Sequence, residues 1–120
     1  MNFDESILVR QCDEVAQAVQ QIRRAFRSSS RVKTSELMNC FWALQDHLHR
    51  LVATISDHPA EIPSLNQKYA SLTSDVIDIL GFTAKTSIGN LAAVRTSCQA
   101  IQELLFELQN LKYSSTAASA

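Results

Sequence analysis

The feature that most constrains this chain is an apolar repeat that alternates steps of four and three residues and recurs in four separate stretches. On an α-helix this spacing places the apolar side chains of one stretch along a single stripe. The four stripes are Leu8, Cys12, Val15, Val19, Ile22 and Phe26; Leu37, Phe41, Leu44, Leu48, Leu51 and Ile55; Leu65, Tyr69, Leu72, Val76 and Ile79; and Leu91, Val94, Cys98, Ile101, Leu105 and Leu108. Four amphipathic helices joined by short links predict an all-α, up-and-down antiparallel four-helix bundle.

Capping and helix-breaking residues set the expected helix bounds. Asn2 with Glu5, and Ser64 with Gln67, have the spacing of a capping box, in which the two residues satisfy free backbone N–H groups at a helix start. Gly81 is expected to close the third helix in the left-handed conformation that glycine adopts easily. The predicted helices therefore run from residue 2–4 to about 27, from 34 or 35 to about 56, from 64 to about 81, and from 83–87 to about 112.

The apolar stripe changes phase across Gly81. Continuing the third stripe would place Thr83, Thr86 and Asn90 in the core, whereas the fourth stripe uses positions one residue later, Ser87 and Leu91. A break at Gly81 explains this shift, and a straight continuous helix does not. The alternative is that the third and fourth helices merge into one long kinked helix whose core a second copy of the chain completes.

Length and composition predict one domain with no strong charge preference. We expect the 120-residue chain to form a bundle over residues 1–113, followed by a disordered tail over 114–120. The net charge of −1 does not favour binding to nucleic acid or to a membrane surface. Because residues 1–5 are acidic and no basic region is followed by an apolar run, we expect no secretory leader, and we expect no membrane span because no apolar stretch is long enough. The three cysteines of the chain are odd in number and widely spaced, which does not indicate a set of disulfide bonds. We therefore expect the protein to lie in a reducing, intracellular compartment, the cytoplasm.

Residues with catalytic or metal-binding potential do not form a recognisable motif. Asp46 and His49 have the spacing of a carboxylate–histidine metal site in a bundle, but such a site needs a second pair and further carboxylates. Cys12 and Cys98 lie on apolar stripes, where a thiol is normally buried and unreactive. Neither glycine belongs to a phosphate-binding loop. We therefore expect no cofactor, no metal ion and no enzymatic activity.

One concentration of positive charge surrounds a run of three serines. It consists of Arg23, Arg24, Arg27, Arg31 and Lys33, with Ser28, Ser29 and Ser30 among them. One interpretation is a site for an anion or an acidic partner, and another is a kinase target whose phosphates the flanking cations would bind. The simplest interpretation is a solvated helix end, where cations interact favourably with the helix dipole.

Several apolar residues lie off the stripes. Trp42, Ile77 and Phe106 fall on the side of their helices away from the stripe, whereas Met38 lies directly beside it. Residues beside a stripe usually widen the buried face. Exposed aromatic residues on helices commonly mark a partner surface, although tilted packing could instead bury them. We assign Met38, Trp42, Ile77 and Phe106 to a candidate partner-binding surface.

These observations favour a non-enzymatic interaction module, such as an adaptor, an assembly subunit or a chaperone. It would bind the amphipathic helix of a protein partner, or a second copy of itself as a homodimer, through an apolar helix face. One alternative is a small-molecule carrier or small enzyme whose pocket lies between the helices, lined by Tyr69, Thr73, Ser87, Ser97 and Cys98. Another is a signalling bundle regulated by phosphorylation of the serine run.

Overall fold

The described part of the chain folds into four α-helices, as the repeat predicts. The computed structural model describes residues 5–27, 34–57 and 66–118, and these contain no β-strand. The α-helices are Glu5–Arg27 (α1), Thr34–Asp57 (α2), Asn66–Ala84 (α3) and Ala92–Ala118 (α4). A 3₁₀ turn at Ser87–Asn90 joins the last two, so α3 and α4 are separate helices and are not merged into one. The predicted four-helix bundle is confirmed.

The helices are arranged around α1 and α2. α2 packs against both α1 and α4, and α3 packs against α1. Cys12 and Leu72 line one depression between α1 and α3, and Phe26 stacks edge-on against Phe82 further along, with ring centroids 5.1 Å apart. The earlier residue of α1, Cys12, lies near the earlier residue of α3, Leu72, and the later residue Phe26 lies near the later residue Phe82. The two helices α1 and α3 therefore run parallel. Within the described residues, extensive backbone contact joins α1 to α2, α2 to α4 and α1 to α3, whereas α3 and α4 lack such contact.

The core is built from the predicted stripes. The whole stripe of α2 is buried, as are the first five stripe residues of α1 and those of α3 from Leu72 to Ile79. In α4 the buried positions are Val94, Ser97, Ile101, Leu105 and Leu108, while Cys98 is only partly buried. One continuous apolar cluster therefore runs through all four helices, and its burial is the main favourable contribution to folding.

The break between α3 and α4 lies later than predicted. Gly81 does not end α3, which continues to Ala84 and buries Thr83 as the next member of its stripe. The Thr83 hydroxyl donates a hydrogen bond of 2.7 Å to the Ile79 carbonyl, which satisfies the buried oxygen within its own helix. Glycine in an exposed helix interior weakens a helix without breaking it, and this explains why Gly81 is tolerated there.

The turn itself depends on Gly89. A Cβ atom on this residue would lie 2.4 Å from the Thr83 carbonyl oxygen, closer than atoms can approach. The Thr86 hydroxyl donates to the same carbonyl oxygen at 2.7 Å and accepts from the Gly89 N–H at 3.4 Å. Only a residue without a side chain allows the turn to pack this closely against the end of α3.

Two other differences from the predicted bounds concern α4. Leu91 was expected in the core, but it follows the 3₁₀ turn and is 41% exposed, so the buried stripe of α4 starts at Val94. α4 also continues to Ala118, past the predicted end near Lys112, because its sequence contains neither glycine nor proline to stop it. The capping residues Asn2 and Ser64, together with Leu65, lie outside the described residues.

No described helix has the combination of length and apolarity needed to cross a membrane.

Candidate partner-binding surfaces

Three of the four predicted partner-binding residues lie on the surface. Trp42, Ile77 and Phe106 are 55%, 52% and 65% exposed, so the packing of the bundle does not bury them. Met38 is different, since it is only 6% exposed and belongs to the core cluster. Its assignment to the surface is corrected because α2 packs between two neighbours, which buries a face wider than a single stripe. Met38 is therefore not available to a partner.

The three exposed residues do not form one surface. Ile77 and Phe106 line a groove between α3 and α4, which we call the α3–α4 groove. Trp42 lines a different groove between α2 and α4, which we call the α2–α4 groove. The sequence placed these residues on outward positions of their helices but did not reveal which helices are neighbours.

The α3–α4 groove is apolar and uncharged. It has a volume of about 400 Å³ and is lined by Ile77, Leu80, Gly81, Ala84, Gln102, Leu105, Phe106 and Gln109. Leu80 and Leu105 are buried and form its floor, whereas Ile77 and Phe106 stand exposed at its sides. None of the lining residues carries a charge, and only Gln102 and Gln109 have polar side chains.

Small residues keep this groove open on the α3 side. Gly81 and Ala84 are three residues apart and therefore share one face of the helix. A Cβ atom at Gly81 would have no neighbour within 4 Å, in contrast to the crowded position of Gly89. The space beside Gly81 is therefore not filled by any described residue.

The α2–α4 groove combines apolar and acidic side chains. It has a volume of about 480 Å³, and its lining comprises Trp42, Gln45, Asp46, His49, Ala100, Glu103, Leu104 and Glu107. Asp46 pairs with Arg50 at 3.0 Å on the same helix. At one end Ser97 donates a hydrogen bond of 3.3 Å to the Gln45 Oε1 atom, which links α4 to α2.

The predicted basic patch is only partly described, and it is partly neutralised. Arg23 and Arg27 line a third depression of about 330 Å³ between α1 and α3, together with Phe26, Phe82 and Asp78. The Arg23 guanidinium lies 3.7 Å from the Asp75 carboxylate, so one positive charge is already paired. Arg24 is exposed and does not line this depression. Arg31, Lys33 and the serine run 28–30 lie outside the described residues.

The histidines and cysteines do not assemble into a reactive centre in the described chain. His49 is exposed, and His47 Nδ1 lies 3.4 Å from Glu14 Oε2 without the geometry of a hydrogen bond. His58 lies outside the described residues. Burial raises the pKa of the Cys98 thiol, and burial together with the Glu36 carboxylate raises that of Cys40, which disfavours the nucleophilic thiolate. The described residues contain no group of three or more His, Cys, Asp or Glu side chains placed to hold a metal ion.

The residues proposed to line an internal ligand pocket are dispersed. Ser97 is buried but bonded to Gln45, Ser87 is exposed on the 3₁₀ turn, and Thr73 and Cys98 are partly buried. The side chain of Tyr69 lies outside the described residues. None of the grooves described above includes Thr73, Ser97 or Cys98.

Sequence reasoning missed the small and buried residues of the α3–α4 groove. The apolar stripe contains Leu105, which it places in the core, but not Leu80, although both residues line this groove. Gly81 was interpreted as a helix end, although a glycine inside an apolar helical pattern can also mark a close backbone approach. The spacing of Ile77, Gly81 and Ala84, which step by four and three, is the signal that links them to one face.

Comparison of the chain with protein-family models, with curated protein sequences and with solved structures finds no significant match to any of them.

Proposed function

We propose that this protein is a non-enzymatic interaction module, an adaptor, assembly subunit or chaperone, that binds an amphipathic helix of a protein partner in the α3–α4 groove. The observation that carries the proposal is the apolar, uncharged space between α3 and α4, two helices that follow each other in the chain without closing against each other. Apolar grooves between helices are a recurring site for the apolar face of a partner helix.

The shape of the groove favours a helix as occupant. Its floor of Leu80 and Leu105 can receive side chains spaced three and four residues apart on one helix face, and Gly81 with Ala84 leaves room for the helix backbone. Phe106 and Ile77 would pack along the sides of that helix. A partner with charged residues on this face would lose their hydration without gaining a charged neighbour, so we expect an uncharged apolar stripe.

Filling the groove from within tests the proposal. In Gly81→Leu the new side chain enters space that no described atom occupies, and it replaces a poor helix former by a good one. We expect the variant to fold at least as stably as the wild type. Proteins captured from the native source and identified by mass spectrometry should include a partner that binds the wild type and is lost with Gly81→Leu and with Phe106→Ala.

Ile7→Ala serves as the matched control, because Ile7 is an exposed apolar residue of α1 outside the groove. Its capture profile should equal that of the wild type. The mass of the purified protein in solution shows whether the occupant of the groove is another protein or a second copy of the chain. A dimer that becomes a monomer in Gly81→Leu would identify a second copy of the chain as the occupant. A partner that binds wild type and Gly81→Leu equally would contradict the proposal.

A further inference from the structure

The α2–α4 groove has a different chemistry from the α3–α4 groove, and we infer that it is a second docking surface, which takes a basic amphipathic segment of a protein partner. The apolar part of this surface is centred on Trp42. The indole ring stands largely exposed beside Leu104 and Ala100, which form an apolar strip between α2 and α4. Exposed tryptophan is the residue type that most often anchors a protein interface, because its large face binds apolar side chains and cations alike.

The charges around Trp42 determine the kind of partner. Asp46, Glu103 and Glu107 line the same groove, and only Asp46 has a cationic neighbour, Arg50. Glu103 and Glu107 form no ion pair with any other described residue. They are four residues apart on α4, so two like charges face each other on adjacent turns, which is unfavourable in the free protein. Lysine or arginine side chains of a bound segment would relieve this repulsion.

Charge therefore distinguishes the two grooves. The α3–α4 groove contains no charged lining residue, whereas the α2–α4 groove has three carboxylates and one histidine, His49. A segment with an apolar side chain for Trp42 and Leu104, and with cations flanking it, complements the second groove and not the first. An acidic segment would be repelled by the same carboxylates.

The single tryptophan of the chain makes a direct test possible, because Trp42 is the only indole fluorophore and lies in the groove. The probe is a synthetic amphipathic helix of 16 residues built from leucine and lysine, titrated while Trp42 fluorescence is measured. A second probe carries glutamate in place of every lysine. We expect saturable binding of the lysine probe, at least about tenfold weaker binding of the glutamate probe, and weakening with added salt.

Charge-neutralising variants show whether the preference for the lysine probe arises in the α2–α4 groove. Glu103→Gln combined with Glu107→Gln should weaken binding of the lysine probe by about tenfold. The matched control is Asp57→Asn combined with Asp78→Asn, which makes the same change in net charge at two exposed residues outside the groove. The control should bind like the wild type apart from a small general effect of charge.

Three results would overturn the inference. Equal affinity of the two probes would show that the groove does not select basic segments. Equal weakening by the groove pair and the control pair would show that the lysine probe responds only to net charge. Gly81→Leu distinguishes this surface from the one proposed above: it should leave binding of the lysine probe unchanged, and loss of binding in that variant would contradict an independent second surface.

Discussion

The two sides of this bundle differ in how far burial extends beyond the apolar stripes. On the α1–α2 side every stripe residue of α2 is buried, and Met38 and Val52 beside the stripe are buried as well. On the α3–α4 side the helices are separated by a groove, with Ile77 and Phe106 exposed along it. The same four-three repeat is present on both sides. An amphipathic helix thus guarantees one buried face, whereas the number of its neighbours decides how wide that face becomes.

Removing the same side chain from each side gives the largest expected contrast. Phe41 is fully buried in α2, so Phe41→Ala should lower the free energy of unfolding by about 3–5 kcal/mol through lost burial and a cavity. Phe106→Ala should change it by less than about 0.5 kcal/mol, because the ring is already largely in water. Denaturant unfolding monitored by circular dichroism measures both values. Similar losses for the two variants would disprove the contrast between the sides.

The next largest contrast in stability is expected between the two glycines, Gly81 within α3 and Gly89 in the 3₁₀ turn that follows it. Gly89→Ala should destabilise the protein by about 1–3 kcal/mol, since its Cβ would clash with the Thr83 carbonyl oxygen. Gly81→Ala should stabilise it by about 0.5–1 kcal/mol, because the site is open and alanine favours the helix. Thermal and denaturant unfolding of both variants checks the signs. Two changes of the same sign would show that the turn is not packed as described.

A smaller loss of stability is expected when Thr86, whose hydroxyl bonds across the 3₁₀ turn, is replaced. Thr86→Ala removes the hydroxyl that donates to the Thr83 carbonyl and accepts from the Gly89 N–H. The expected loss is about 1 kcal/mol, as for other side chains that cap a helical turn. Thr96→Ala is a useful control, because its hydroxyl bonds only to the exposed Ala92 carbonyl one turn earlier. Equal stability of Thr86→Ala and the wild type would show that the backbone contacts alone hold the turn.

The smallest expected effect concerns the ion pair between the parallel helices α1 and α3. Arg23 and Asp75 approach to 3.7 Å but remain partly exposed. A double-mutant cycle with alanine at both positions should give a coupling free energy below about 1 kcal/mol, and the coupling should decrease with added salt. A larger, salt-independent coupling would mean that the pair contributes to holding α3 on the bundle.

The fold was largely predictable because the stripes of α1 and α2 are long and regular. Their buried residues follow the repeat, and α2 begins at Thr34, within the predicted start at residue 34 or 35. The break between α3 and α4 was misplaced because a glycine can either end a helix or lie inside one. Gly81 and Gly89 differ only in the space around them, and that space depends on tertiary packing that no local sequence pattern specifies.

The candidate site was predictable residue by residue but not as a surface. The outward positions of Trp42, Ile77 and Phe106 follow from the helical period alone. The period cannot show that α4 lies next to α2 on one side and beside an open groove on the other, because many helix orders satisfy the same stripes. For the same reason Met38, one step from the stripe, was assigned to the surface although the packing of α2 buries it.

The close contact of Gly89 with the end of α3 has a consequence for the free energy of binding to the proposed partner. The hydrogen bonds around Thr83 and Thr86 fix the angle at which α4 leaves α3, so the space between these helices exists before anything enters it. Binding of a partner helix would not require α3 and α4 to separate. The conformational entropy lost on association would therefore come mainly from the partner. If the proposed partner helix binds there, the hydrogen-bonded turn between α3 and α4 would make the groove a preorganised binding site.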